Sequence, residues 1–270
     1  MICRKQMCVP PSGFIEKCVT FARSYIDRQI GNYASVMKRY IVLLTALVIS
    51  HFAMAQDFKP MEHNGLLYQE LVFCNDVKGK IPLVIYLHGR HASGNDNQKQ
   101  LSQAGVQEID KYLRKNAIPA YFLVPQCPED YEWDGRNGNS GYTDKVVDLI
   151  TFYLKTKDID MNRIYICGAS MGACGTWKIL KDNPKLFAAA LIASGQAQHE
   201  KPSDYTDTPL YVTVGSEERS YNALKWLTTE IRKAGGNVKF DVLFGQKHRN
   251  ACDNAFSTKR IKWLFSQVRD

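Results

Sequence analysis

Ser170 lies at the centre of Cys167–Gly175, CGASMGACG, in a G-x-S-x-G spacing. A serine hydroxyl becomes a nucleophile only when a base takes its proton and donors hold the oxyanion that follows. Small neighbours are what a sharp strand-to-helix turn requires, and Gly168, Ala169, Gly172 and Ala173 supply them. Such a turn lifts Ser170 Oγ above a strand end and aims the Met171 N–H at the same space, where a helix start favours negative charge. Five residues of this kind also arise by chance, so the chemistry depends on what else reaches that point. His88-Gly89 follows the apolar run Ile81–Leu87, and a glycine turn there brings the Arg90 N–H in as a second oxyanion donor. Glu217 and Glu218 follow the run Pro209–Val214. A carboxylate there can orient an imidazole and stabilise its cation; Glu218 is preferred and Glu217 is the alternative. His248, in the loop after Val238–Phe244, is the one histidine that follows both serine and acid from a strand end. His88 reads as structural. The side chains of Arg90 and His91 are candidates to touch substrate. In the irregular stretch Gln126–Gly141, Tyr131 and Trp133 are candidates for an aromatic platform under a sugar or aryl acyl group.

These residues need strands to hold them, and the hydrophobic pattern supplies strands alternating with helices. Leu66–Cys74, Ile81–Leu87, Ala120–Val124, Arg163–Cys167, Leu186–Ala193, Pro209–Val214 and Val238–Phe244 read as strands. The nearly unbroken apolar runs fit strands buried on both faces. Helical spacing marks Gln103–Lys115, Tyr142–Lys155, Met171–Lys181, Ser220–Lys233 and Ser257–Val268. The alternation predicts an α/β fold with a mostly parallel sheet and helices on both faces. Sites in such sheets lie at the C-terminal strand ends, where each residue named above falls.

Several segments carry a resemblance: LHGRHASGNDN (Leu87–Asn97), VPQCP (Val124–Pro128), RIYICGASMGACGTW (Arg163–Trp177), LFAAALIASG (Leu186–Gly195) and GQKHRNACDNAF (Gly245–Phe256). With them the chain resembles the serine α/β-hydrolases of the esterase, polyhydroxybutyrate-depolymerase-like and predicted-peptidase group. The resemblance implies an α/β-hydrolase fold without a cap domain, Ser170 as nucleophile, His248 as base, and main-chain oxyanion donors at Arg90 and Met171. Cleavage of carboxylic esters is expected; an open cleft in an exported enzyme suggests acetyl or feruloyl esters on polysaccharide first, small carboxylesters next and peptides third. No metal and no organic cofactor is needed. The chain departs from the pattern in three places. Val214-Gly215-Ser216-Glu217-Glu218 stands where the group has H-G-x-x-D, Ala173 replaces a glycine, and Cys252 replaces a tryptophan shortly after the histidine. A non-catalytic binding module on the same fold is the rival from another class.

The N-terminal segment is expected to belong to targeting rather than to the fold. Met37-Lys38-Arg39, the apolar run Tyr40–Phe52 and Ala53-Met54-Ala55 have the pattern of a secretory signal peptide. Residues 37–55 are therefore read as a signal peptide, residues 1–36 as an upstream-start extension, and residues 56–270 as one catalytic domain, exported to the periplasm or secreted, with no stable membrane anchor. Residues 1–55 carry seven of the Lys and Arg residues and two acids, so most of the net charge of +8 lies there. The basic balance gives no support to nucleic-acid binding. The five cysteines after residue 55 include no C-x-x-C pair, and Cys167 and Cys174 read as buried packing residues.

Overall fold

The computed structural model describes residues 20, 57–73, 78–136, 138, 140–198 and 201–269. Apart from Thr20, the expectations placed on residues 1–36 and 37–55 lie outside the described residues, as does Cys74. The chain separates into two compact units, Met1–Ala55 and Gln56–Asp270; every element below belongs to the second.

In chain order the strands are β1 (Lys59–His63), β2 (Leu66–Phe73), β3 (Ile81–Leu87), β4 (Ala120–Pro125), β5 (Tyr131–Glu132), β6 (Ser140–Gly141), β7 (Ile159–Ala169), β8 (Ala189–Ala193), β9 (Leu210–Gly215) and β10 (Val238–Leu243). The helices are α1 (Ala104–Lys115), α2 (Thr143–Thr156), α3 (Met171–Asp182), α4 (Tyr221–Lys233), α5 (His248–Asn254) and α6 (Thr258–Phe265). Eight strands form one sheet in the order β1-β2-β4-β3-β7-β8-β9-β10, and β5 pairs with β6 apart from it. From β4 to β10 every neighbouring pair is parallel; only β1–β2 and β2–β4 are antiparallel. The mostly parallel sheet is the one expected from the sequence.

All seven residues of β3 are buried, as a strand covered on both faces requires. Successive side chains alternate between two cores. Leu83, Ile85 and Leu87 join Ile164 and Ile166 of β7 and Val212 and Val214 of β9, packed on α2, α3 and α4. Val84, Tyr86, Tyr165, Cys167 and Leu191 point the other way, onto Val106, Ile109 and Leu113 of α1 and Ile261 and Leu264 of α6. Each such Leu or Ile contributes roughly 1.5–3 kcal/mol on burial. The pattern missed β1, whose KPMEH carries no apolar run and is largely exposed at the sheet edge. It also missed α5, where the chain after β10 turns into helix at His248 itself.

Because β3, β4, β7, β8, β9 and β10 run parallel, their C-terminal ends share one edge. The connections after β3, β4 and β8 hold short 3-10 turns and the β5–β6 pair before the next helix or strand.

Candidate active site

β7 ends at Ala169 and α3 begins at Met171, so Ser170 is the single residue between strand and helix. Its φ is 57° and its ψ −118°. A serine held there stores about 1–3 kcal/mol of strain, which persists only if the surroundings enforce it. Close backbone packing does so. A Cβ on Gly172 would lie 1.9 Å from the Leu87 carbonyl oxygen, and one on Gly168 2.3 Å from the Gly172 carbonyl oxygen. The end of β3 thus passes too near α3 for even a methyl group.

The Ser170 hydroxyl meets His248 Nε2 at 2.7 Å. On the far side of the ring, Nδ1 lies 2.6 Å from Glu218 Oε2. The carboxylate can only accept, so Nδ1 carries the proton and Nε2 is left to accept from Ser170. Of the two adjacent acids, Glu218 reaches the ring, while Glu217 stands exposed beside it. The second oxygen of Glu218 accepts from Ser194 Oγ and from the Gly215 N–H, both at 2.7 Å. Burial pushes the Glu218 carboxyl up, but the hydrogen bonds from His248, Ser194 and Gly215 outweigh it and leave it below its ordinary 4.5. Cys252, one turn along α5, places its Sγ 3.9 Å from His248 Nε2. That sulphur and the Glu218 carboxylate raise the imidazole above its ordinary 6.5, against the opposing effect of burial.

Arg90 opens the 3-10 turn Arg90–Ala92 and Met171 opens α3, so neither N–H has an acceptor within its own turn. Both residues line the cleft that contains Ser170, and an ideal Cβ on neighbouring Gly89 would touch the Ser170 Cβ at 3.5 Å. This cleft has a volume of ≈ 820 Å³ and takes in His248 and Glu218 as well.

The fold has counterparts among known proteins. A profile of the prolyl oligopeptidase family (Peptidase_S9) matches residues 130–227, which hold Ser170 and Glu218. A thermostable esterase superposes with a TM-score of 0.71 at 28% identity, over 79% of this chain and 64% of that one. The chain has the α/β-hydrolase fold of these esterases. An S-formylglutathione hydrolase from Staphylococcus aureus (TM-score 0.59, 13% identity, 78% of this chain and 99% of that one) shares the fold. So does a feruloyl esterase module from Clostridium thermocellum in complex with sinapinate, with a TM-score of 0.59 at 14% identity over 80% and 91% of the two chains. The chain spans 64% of the length of the thermostable esterase. No curated protein sequence matches significantly.

The α/β-hydrolase frame brings some expected residues to the cleft and turns others away. Trp133 is fully buried; its ring packs in the core beneath α3 and its Nε1–H donates to the His88 carbonyl at 3.0 Å. It forms no platform. Tyr131 leans on the same core, 4.9 Å from the Tyr142 ring, and is not among the cleft residues. His91 turns to Gln103, with its Nε2 2.7 Å from the amide nitrogen, and does not line the cleft. The Arg90 guanidinium ion-pairs with Glu132 and donates to the Glu129 and Tyr131 carbonyls, so its side chain ties down the loop after β4.

His88 is structural, as expected. It is fully buried, and its Nε2 accepts from the Cys127 N–H at 2.9 Å. Nδ1 must then hold the proton, which it donates to the Gly89 carbonyl at 2.8 Å. Burial pushes this ring down to about 4. Cys127, Cys167 and Cys174 are buried and free. Sequence reasoning missed Ser194 and Arg136, and singled out Cys252 only as a departure from the family pattern, without its contact to His248. Only Ser194 carried a signal, standing directly after β8 at a strand end; its φ of 57° marks another forced turn.

Among the described residues, no group of three His, Cys, Asp or Glu is placed to hold a metal ion, and no helix is long and apolar enough to cross a membrane.

Proposed function

We propose that this chain is a serine hydrolase of carboxylic esters that works through an acyl-enzyme. His248 Nε2 takes the Ser170 proton as Oγ attacks the ester carbonyl. The Arg90 and Met171 N–H groups receive the tetrahedral oxyanion, worth roughly 2.7–4 kcal/mol per donor. The imidazolium, steadied by Glu218, gives its proton to the leaving alcohol and then activates water to free the acid and regenerate Ser170. No step requires a cofactor. The observation that carries this reading is the unbroken chain from Ser170 Oγ to His248 to Glu218, at 2.7 and 2.6 Å.

The character of the cleft favours a short acyl group. No Phe, Tyr or Trp is among its lining residues, and Met171 and Cys174 are the apolar side chains that reach it. An acetyl ester, free or on a polysaccharide, fits that lining better than a feruloyl ester. The chain is proposed to act outside the cytoplasm, on the strength of the Met37–Ala55 pattern. N-terminal sequencing of the secreted protein tests this, with Gln56 as the expected first residue.

The test of the chemistry is p-nitrophenyl acetate turnover by the wild type and by Ser170→Ala. The variant is expected to fall by at least roughly ten-thousandfold in kcat while keeping the melting temperature. Equal rates would sink the esterase reading. A serine peptidase is the second reading, favoured by the prolyl oligopeptidase match over residues 130–227. A chromogenic peptide cleaved faster than p-nitrophenyl acetate would put it first.

A further inference from the structure

We propose that the cleft selects esters that carry a carboxylate, and that Arg136 receives it; this rests on the esterase reading above. Arg136 lines the cleft with Ser170, and its side chain is only 23% exposed. It is fixed before any substrate arrives. Nε donates to Asp134 Oδ2 at 2.6 Å, and Nη2 reaches the same oxygen at 2.5 Å and the Gln196 carbonyl at 2.8 Å. The hydrogen bonds use one N–H on Nε and one on Nη2 of the guanidinium's five. The two on Nη1 have no acceptor among the described residues. Asp134, whose side chain is wholly buried, explains why the arginine is held, because a buried carboxylate is costly without a cation. It does not explain a spare donor pair on a side chain that faces the cleft.

The other charges of the cleft point the same way. Arg90 is used by Glu132, and Glu218 by His248. Arg219 and Lys247 form no ion pair among the described residues, and Glu217 alone opposes them. Uncommitted charge is therefore two positive to one negative. A carboxylate oxygen can accept from the free Nη1 donors of this prefixed cation in a charge-assisted hydrogen bond, and little side-chain entropy is lost in closing the contact. A neutral aliphatic chain would instead strip water from these cations with no return.

The experiment compares two matched pairs of esters, with rates corrected for spontaneous hydrolysis. One pair is mono-p-nitrophenyl succinate against the neutral p-nitrophenyl succinamate, with the charge on the acyl side. The other is 4-acetoxybenzoate against 4-acetoxybenzamide, with the charge on the alcohol side. The readout is the ratio of kcat/KM within each pair, which cancels general damage to the enzyme. The wild type is expected to favour the carboxylate by roughly tenfold or more in one pair, which also tells the side that Arg136 serves. Arg136→Met should bring that ratio to about one, and Arg136→Lys should keep part of it. If Arg136→Met fails to fold with Asp134 left unpaired, the double variant Asp134→Asn/Arg136→Met removes both charges together. Ratios near one in both pairs for the wild type, or an undiminished ratio in the double variant, would overturn the proposal while leaving the esterase intact. Turnover of none of the four esters would overturn both.

Discussion

The two halves of the sheet's C-terminal edge are built differently. The half from β7 to β10 holds Ser170, Ser194, Glu218 and His248, each placed by the end of its strand or the first turn of its helix. The half formed by β3 and β4 continues into longer irregular connections, Arg90–Gln103 and Gln126–Tyr142, in which the Trp133 and Arg90 side chains fold back on the body of the protein. In the first half the backbone brings each side chain to the same point, and hydrogen bonds among the four hold them there. In the second, the direction depends on which partner the side chain meets. Trp133 finds the His88 carbonyl, and Arg90 finds Glu132.

That contrast can be tested at four points. The largest effect is expected in the β7–β10 half. Glu218→Gln leaves the imidazolium without its counter-charge and should lower kcat by roughly a thousandfold to ten-thousandfold. Since the base works as the neutral ring, kcat/KM falls as pH drops through the His248 pKa. Glu218 and Cys252 hold that pKa above 6.5, so Glu218→Gln and Cys252→Ala should each move the acidic limb to lower pH. A limb that stays in place would show that neither residue governs the base.

The next effect lies in the other half and concerns stability. Trp133→Ala empties a fully buried site and should cost about 3–5 kcal/mol in urea unfolding. A change in KM at unchanged stability would restore the aromatic platform and erase the distinction between the halves.

His88 supplies a third point. Its folded pKa of about 4 lies below the ordinary 6.5, so the unfolded chain takes up the proton first as pH falls. The stability that neutral His88 contributes is whole above 6.5 and is lost progressively below it, by about 2 kcal/mol between pH 6.5 and pH 5. In His88→Gln this part of the pH dependence should disappear, as read from urea midpoints at the two pH values.

The smallest effect is expected at Tyr131, half-buried against Tyr142. Tyr131→Ala should cost about 1 kcal/mol and leave the selectivity for acyl groups unchanged in an ester panel. A shift in that selectivity would return Tyr131 to the substrate.

The amino-acid sequence by itself determined the order of the central strands and helices and the parallel sheet, and it put Ser170 and His248 at strand ends with Glu218 preferred over Glu217. The reason is that these features rest on local constraints. Short apolar runs bounded by turn residues and alternating with helical spacing read as buried strands, and the small residues around Ser170 mark the tight turn. It did not determine β1, whose pairing with β2 supplies what its own composition lacks. It did not determine that His248 opens a helix, which puts Cys252 one turn away and against the ring. Nor did it give the direction of any side chain in Gln126–Gly141. Trp133 and Tyr131 look alike along the chain as aromatic residues of one loop, yet one is sealed under α3 and neither reaches the cleft. Arg136, unremarked in the sequence, becomes part of the cleft wall because Asp134 is buried beside it and Gln196 lies across from it. Those outcomes belong to tertiary structure, because an irregular segment has no internal hydrogen-bond ladder and takes its direction from the partners that satisfy its polar groups.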